Sequence, residues 1–129
     1  MANRGAGTCV FCDPAADRIV AANELAYALR DTSPVTPLHA LILPRRHVAS
    51  YFDLVPGEDS AVRHLLSSLR QEIEAADAAV EGFNIGINVG EAAGQTIFHC
   101  HVHLIPRRRG DVANPRGGVR AVIPGKANY

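Results

Sequence analysis

Residues 98–105 of this chain read Phe-His-Cys-His-Val-His-Leu-Ile, and that polar–apolar alternation constrains the fold more than any other stretch. A period of two belongs to an extended strand, whose successive side chains point to opposite faces. His99, His101 and His103 are therefore expected on one face, with Cys100, Val102 and Leu104 entering a core and Pro106 closing the strand. Imidazoles make poor core residues, because their ring nitrogens cost free energy when buried without partners. Three of them in register mark a site. Two chemistries fit the spacing. His-x-His on a strand can give two ligands to a catalytic metal. Alternatively, one imidazole attacks phosphorus while its neighbours hydrogen-bond the oxygens on which charge develops.

The remaining sequence supplies a sheet and a helix for this strand to join. Residues 18–23 and 25–31 read as short strands separated by a turn at Asn23-Glu24, and residues 32–37 form a proline-punctuated loop. Residues 39–44 are a compact apolar run ended by Pro44, as a central strand requires. From Gly57 to about Val80, the residues Val62, Leu65, Leu66, Leu69, Ile73 and Ala76 recur every three or four positions and predict one long amphipathic helix, with His64 off the stripe. Residues 83–88 give another strand. The expected fold is α+β: an antiparallel sheet of about five strands, one long helix packed on one face, and a short helix besides. At 129 residues this is a single domain. Met1-Ala2-Asn3-Arg4-Gly5 lacks the apolar core of a signal peptide, and no apolar run approaches the ~20 residues of a membrane span, so a cytoplasmic protein without a membrane partner is expected.

The formal net charge of zero conceals an asymmetry: from Arg107 onward six basic residues face Asp111 alone, whereas residues 1–106 carry seven basic and twelve acidic groups. With its glycines and prolines, the segment 107–129 is expected to be an extended basic tail beside the histidines, suited to an anionic partner. Ahead of the histidine strand, Gly90-Glu91-Ala92-Ala93-Gly94 is a turn whose exposed N–H groups suit an anion, followed by the polar pair Gln95 and Thr96. At the other end of the chain, Cys9-x-x-Cys12 reads as a metal half-site or a redox pair.

Taken together, Gly94-Gln95-Thr96-Ile97-Phe98-His99-Cys100-His101-Val102-His103-Leu104-Ile105-Pro106-Arg107 resembles the signature of the histidine triad superfamily of nucleotide hydrolases and transferases, and residues 31–39 and 41–47 are similar to its second block. The resemblance implies that His101 is the nucleophile. It implies that His103 contacts the α-phosphate and helps the leaving group depart, and that His39 completes the phosphate pocket. Asn88, Gln95 and Thr96 would hydrogen-bond phosphate, Thr96 standing where many relatives carry Ser. Asp31 would bind ribose, and the base would rest near Leu29 and Thr32. A homodimer with sheets joined side by side is implied, each tail reaching toward the partner's site, and no organic cofactor.

The same resemblance extends to metal. In a bacterial branch of the superfamily, and in a related arrangement in galactose-1-phosphate uridylyltransferases, such a cysteine pair binds zinc. The matching set here is Cys9, Cys12, His47 and His99, a closed tetrahedral set suited to a structural ion. The substrate expected is a diadenosine polyphosphate, with Arg107, Arg108 and Arg109 meeting its extra phosphates; a purine nucleoside phosphoramidate is the alternative. Two other classes stay open: a metal-dependent hydrolase liganded by His99, His101 and His103, and a non-catalytic nucleotide-binding protein. The phosphate-loop pattern of ATPases is missing, and no nucleic-acid partner is expected.

Overall fold

The computed structural model describes residues 9–129. One antiparallel sheet of five strands has the order β1-β2-β3-β5-β4. The strands are β1 (Ile19–Ala22), β2 (Ala26–Arg30), β3 (Ala40–Pro44), β4 (Val80–Ile87) and β5 (Val102–Arg108), with the helix α1 (Pro56–Ala76) between β3 and β4. The α+β architecture matches the sequence expectation. The shorter helical pieces among the described residues are 3-10 turns, at Ala16–Arg18, Tyr51–Asp53, Glu91–Ala93 and Gly118–Val122.

Strand β3 is buried along its whole length because each face of the sheet has its own cover. On one face, Val62, Leu65, Leu69 and Ile73 of α1 pack against Ala28, Ile42, Val102 and Leu104. On the other, Tyr27, Leu29, Leu41 and Leu43 lie beneath Phe11 of the N-terminal loop. Leu41 pairs with His103 in register, so His103 shares the face turned away from the helix.

The helix begins at Pro56, where a missing N–H costs nothing. The Val55 N–H donates to Glu58 Oε1 at 3.0 Å. Glu58 is buried and takes both arms of the Arg46 guanidinium, at 2.9 and 2.8 Å. That pair ties the start of α1 to the loop carrying His47. The helix stops earlier than its apolar period suggests. Asp77 adopts an extended conformation, its carboxylate takes the Ala79 N–H at 2.9 Å, and Val80 opens β4 instead.

Strand β5 also differs from its sequence reading, starting at Val102 and not at Phe98, and continuing through Pro106 to Arg108. Residues 97–99 bend and stay outside the ladder, and the Cys100 N–H donates to Val48 O at 2.7 Å. Pro106 is tolerated within the strand because β3 pairs with β5 only across Val102–Leu104. Beyond that point the carbonyl of Pro106 accepts from Thr36 Oγ1 at 2.7 Å, so its missing N–H falls on a side with no ladder to break.

The C-terminal segment folds back on itself beyond β5. Arg107 and Arg108 belong to β5, and the following chain turns through a 3-10 segment at Gly118–Val122. The Tyr129 ring sits beneath the guanidinium groups of both Arg116 and Arg120, each 4.8 Å from the ring centre. Gly117, at φ 85°, is required here: a Cβ would run into the Ala127 carbonyl.

Candidate active site and metal centre

The tautomers of the imidazoles follow from groups whose hydrogen-bonding roles are fixed. His101 Nδ1 lies 2.8 Å from the His99 carbonyl oxygen. A carbonyl only accepts, so in the neutral ring Nδ1 carries the proton and Nε2 keeps the lone pair. The Val35 backbone N–H donates to His39 Nδ1 at 3.1 Å. Neutral His39 is therefore protonated on Nε2, which donates to His103 Nδ1 at 2.9 Å. Neutral His103 in turn carries its proton on Nε2. Asp31 Oδ2 stands 3.6 Å from His39 Nε2, while its Oδ1 accepts from Ser33 N. Three of the expected catalytic groups, His39, His101 and His103, and the expected ribose ligand Asp31 are thus neighbours.

Burial disfavours charge on this relay. It pushes His103 down to about 4, the His101 and His39 rings adding to the shift and Asp31 opposing it. His39 is also lowered by burial, against Asp31. Leu38, just before His39, holds φ 72°, a left-handed conformation that a leucine adopts only under constraint. The turn it makes returns the chain so that Val35 can reach the ring of His39. The Val35 contact carried no sequence signal, because any residue but proline supplies an N–H.

Asp31, His39 and His103 also lie close enough together to suggest a metal site. The Val35 N–H argues against one. A metal on His39 Nε2 would move the proton to Nδ1, setting two donors face to face at 3.1 Å. The arrangement is a hydrogen-bond relay.

The second cluster has the opposite character. The donor atoms of Cys9, Cys12, His47 and His99 lie within 4.8 Å of one another. Cys12 Sγ is 3.1 Å from His47 Nδ1 and 3.7 Å from His99 Nδ1, and Cys9 Sγ is 3.5 Å from His99 Nδ1. His99 is fully buried and its Nε2–H donates to Pro44 O at 2.7 Å, so its Nδ1 lone pair faces the sulfurs. That is how a metal-ligating imidazole is usually oriented. Burial and the adjacent Cys9 thiol push Cys12 up to about 11, a strain that a cation would relieve. Two thiols and two imidazoles with no open position fit a structural zinc ion. His99 thus departs from the shared face expected of the triad. It lies upstream of β5 and turns to the cysteines, leaving His101 and His103 for the open side.

A family-level comparison agrees with the site: the HIT domain profile matches residues 14–110. The chain belongs to the HIT domain family. Among its relatives, the asymmetrical bis(5'-nucleosyl)-tetraphosphatase of Schizosaccharomyces pombe is 36% identical over 98 residues, covering 76% of this chain and 53% of the relative. An adenylylsulfatase of Arabidopsis thaliana is 33% identical over 89 residues, covering 69% of this chain and 45% of the relative. This chain therefore spans about half the length of these two hydrolases. Among solved structures, a zinc-bound histidine triad family protein from Mycobacterium smegmatis superimposes with a TM-score of 0.74 at 31% identity, over 85% of this chain and 82% of that one.

For this HIT enzyme the remaining expected site residues divide. β4 pairs Ile87 with Val102 and Gly86 with His103. Asn88, just past the end of β4, and Thr96, in the loop leading to the triad, are both exposed. Gly86 leaves open space next to His103, since a Cβ there would meet nothing within 4 Å. Gln95 is corrected: it is buried, its amide donates to Ala49 O and Ile97 O, and its carbonyl oxygen accepts from Gly90 N. It shapes the glycine turn and has no donor left for phosphate.

The arginines are corrected too. Arg107 pairs with Asp111 at 2.8 Å and donates to Asn84, Arg108 pairs with Asp77 at 3.0 Å, and Arg109 pairs with Glu81 at 2.7 Å. They border a cleft of about 520 Å³ lined by Phe83, Asn84 and Val112. Six residues of extended chain separate Arg107 from His101, roughly 20 Å. His39, His101 and His103 do not line that cleft.

Proposed function

We propose that this HIT enzyme cleaves diadenosine polyphosphate-type nucleotides at the α-phosphate through a covalent nucleotidyl-His101 intermediate. The observation that carries this reading is the His101 Nδ1–H bond to the His99 carbonyl, which leaves the lone pair of the neutral ring on Nε2. Nε2 attacks the α-phosphorus in line; the P–N bond forms as the bridging P–O bond breaks, and the polyphosphate departs with the electron pair. His103 Nε2–H donates a hydrogen bond to the bridging oxygen as charge develops there. Water then displaces His101 from phosphorus, releasing a nucleoside monophosphate and one proton to solvent.

His103 in its neutral form donates a hydrogen bond and does not surrender a full proton. That suits a phosphate leaving group, which departs as an anion, better than the amine of a phosphoramidate, which must be protonated. Asp31 takes the ribose hydroxyls, and Asn88 and Thr96 take non-bridging oxygens. Zinc on Cys9, Cys12, His47 and His99 would supply structural closure with no open position for substrate. A reducing, cytoplasmic compartment suits these thiols, and no helix among the described residues is long and apolar enough to cross a membrane. A homodimer joining sheets along β4 is supported by the place of β4 at the sheet edge and by the exposed Ile85 it presents.

A single-turnover reaction tests the mechanism: excess enzyme, α-phosphate-labelled diadenosine polyphosphate, and an alkaline quench that spares the acid-labile P–N bond. Label is expected on the wild type and not on His101→Ala. Unlabelled protein whose turnover disappears on chelation would move the function to a metal-dependent hydrolase. Binding without turnover, on phosphoramidates as well, would leave a nucleotide-binding protein.

A further inference from the structure

We propose that Phe11, carried between the two cysteines of the metal centre, is a positioning residue for His101, so that closure of the metal loop sets the attitude of the nucleophile. The proposal rests on His101 being the nucleophile and extends that reading to the metal centre.

The Nδ1–H bond to the His99 carbonyl fixes the tautomer of His101. A single bond to one ring atom leaves the ring free to swing about it, and attack needs Nε2 aimed along the breaking bond. Two rings limit that swing. His103 lies 5.2 Å away, and Phe11 meets His101 edge-on at 5.1 Å with 68° between the planes. Phe11 also meets the ring of the ligand His99, at 6.2 Å and 84°.

Phe11 is itself held by the metal loop. It is 5% exposed, packed in the apolar cluster with Tyr27, Leu29, Leu41 and Leu43, and its backbone N–H donates to Cys9 Sγ at 3.4 Å. The loop is a single turn, closed by the Cys12 N–H on Cys9 O at 3.3 Å. Among the described residues, its attachments to the body are this ring and the four-donor cluster. A metal in the cluster would clamp the loop on both sides of Phe11, and removing the metal would leave the loop held by the packing of this ring and by weaker thiol–imidazole contacts.

The test uses Phe11→Leu, which keeps an apolar side chain at the position, beside the wild type, each zinc-loaded and chelator-stripped. The readouts are the tetrahedral Co²⁺ absorption after substitution of the metal, the His101 ring resonance in a ¹H–¹³C spectrum, and the single-turnover labelling rate. Phe11→Leu is expected to bind one equivalent of Co²⁺ with unchanged bands, to shift the His101 resonance, and to label about 10- to 100-fold more slowly with little change in KM. Stripping the wild type should shift the same resonance, whereas stripping Phe11→Leu should add little, because the coupling is already cut. Wild-type labelling by metal-loaded Phe11→Leu would overturn the proposal, as would equal shifts on stripping both proteins. If the wild type never labels, the nucleophile reading fails by itself, while the His101 resonance still decides the coupling.

Discussion

Each end of β5 carries a cluster of polar side chains, and the two clusters are treated in opposite ways. At the entry, His101 and His103 each spend Nδ1 on a fixed neighbour and keep Nε2 for the open side. At the exit, Arg107, Arg108 and Arg109 are each matched to a carboxylate, Asp111, Asp77 and Glu81. The basic end has more charge and less chemistry. What distinguishes a reactive group is the hydrogen-bonding capacity left after the fold has taken its share.

The largest break in this contrast should come from His101→Ala, which is expected to lower kcat by roughly 10³-fold or more and to abolish covalent labelling in a quenched-flow assay. His39→Ala takes the donor away from His103 Nδ1 and frees its tautomer; a fall of about 100-fold in the labelling rate is expected, with one equivalent of bound zinc retained. Acid should weaken the same end. His39 and His103 sit below their ordinary 6.5, so between about 6.5 and 4 the unfolded chain binds protons that the native chain refuses. Native stability therefore falls as pH drops through that window, measurable as a declining Tm, and an unchanged Tm between pH 7 and 5 would count against the buried relay. Zinc addition near neutral pH should release protons from Cys12, which burial and Cys9 keep protonated, and calorimetry in buffers of different ionisation enthalpy would count them. The smallest effect is expected at the exit: Arg109→Ala, at an exposed ion pair, should change kcat/KM less than about twofold and Tm by a degree or so. A large loss of activity there would return the arginines to the substrate.

Much of the site was legible from the chain. The alternation of residues 99–104 puts Val102 and Leu104 in the core, while Cys9, Cys12, His47 and His99, which the superfamily resemblance joins into one set, do cluster in the fold. The misreadings share a physical cause. Alternation reports which face a side chain takes, not whether its backbone is laddered, so the late start of β5 depended on Cys100 reaching Val48, 52 positions back. Gln95 looked like a phosphate donor because its composition was visible and its partners Ala49, Gly90 and Ile97 were not. The arginines looked available for the same reason, since two of their partners, Asp77 and Glu81, lie some thirty residues upstream. The apolar period of α1 could not reveal that the Asp77 side chain would capture a backbone N–H and end the helix.

His99 meets the cysteines with its side chain and His101 with its main-chain oxygen. These two contacts differ in heritability. An imidazole ligand is lost at a single codon change, whereas every amino acid brings a carbonyl. A lineage could therefore replace the imidazole at this position and still inherit the hydrogen bond that sets the tautomer of His101. For the protein engineer, position 99 is where the metal-ligand set can be altered while the hydrogen bond to His101 is kept.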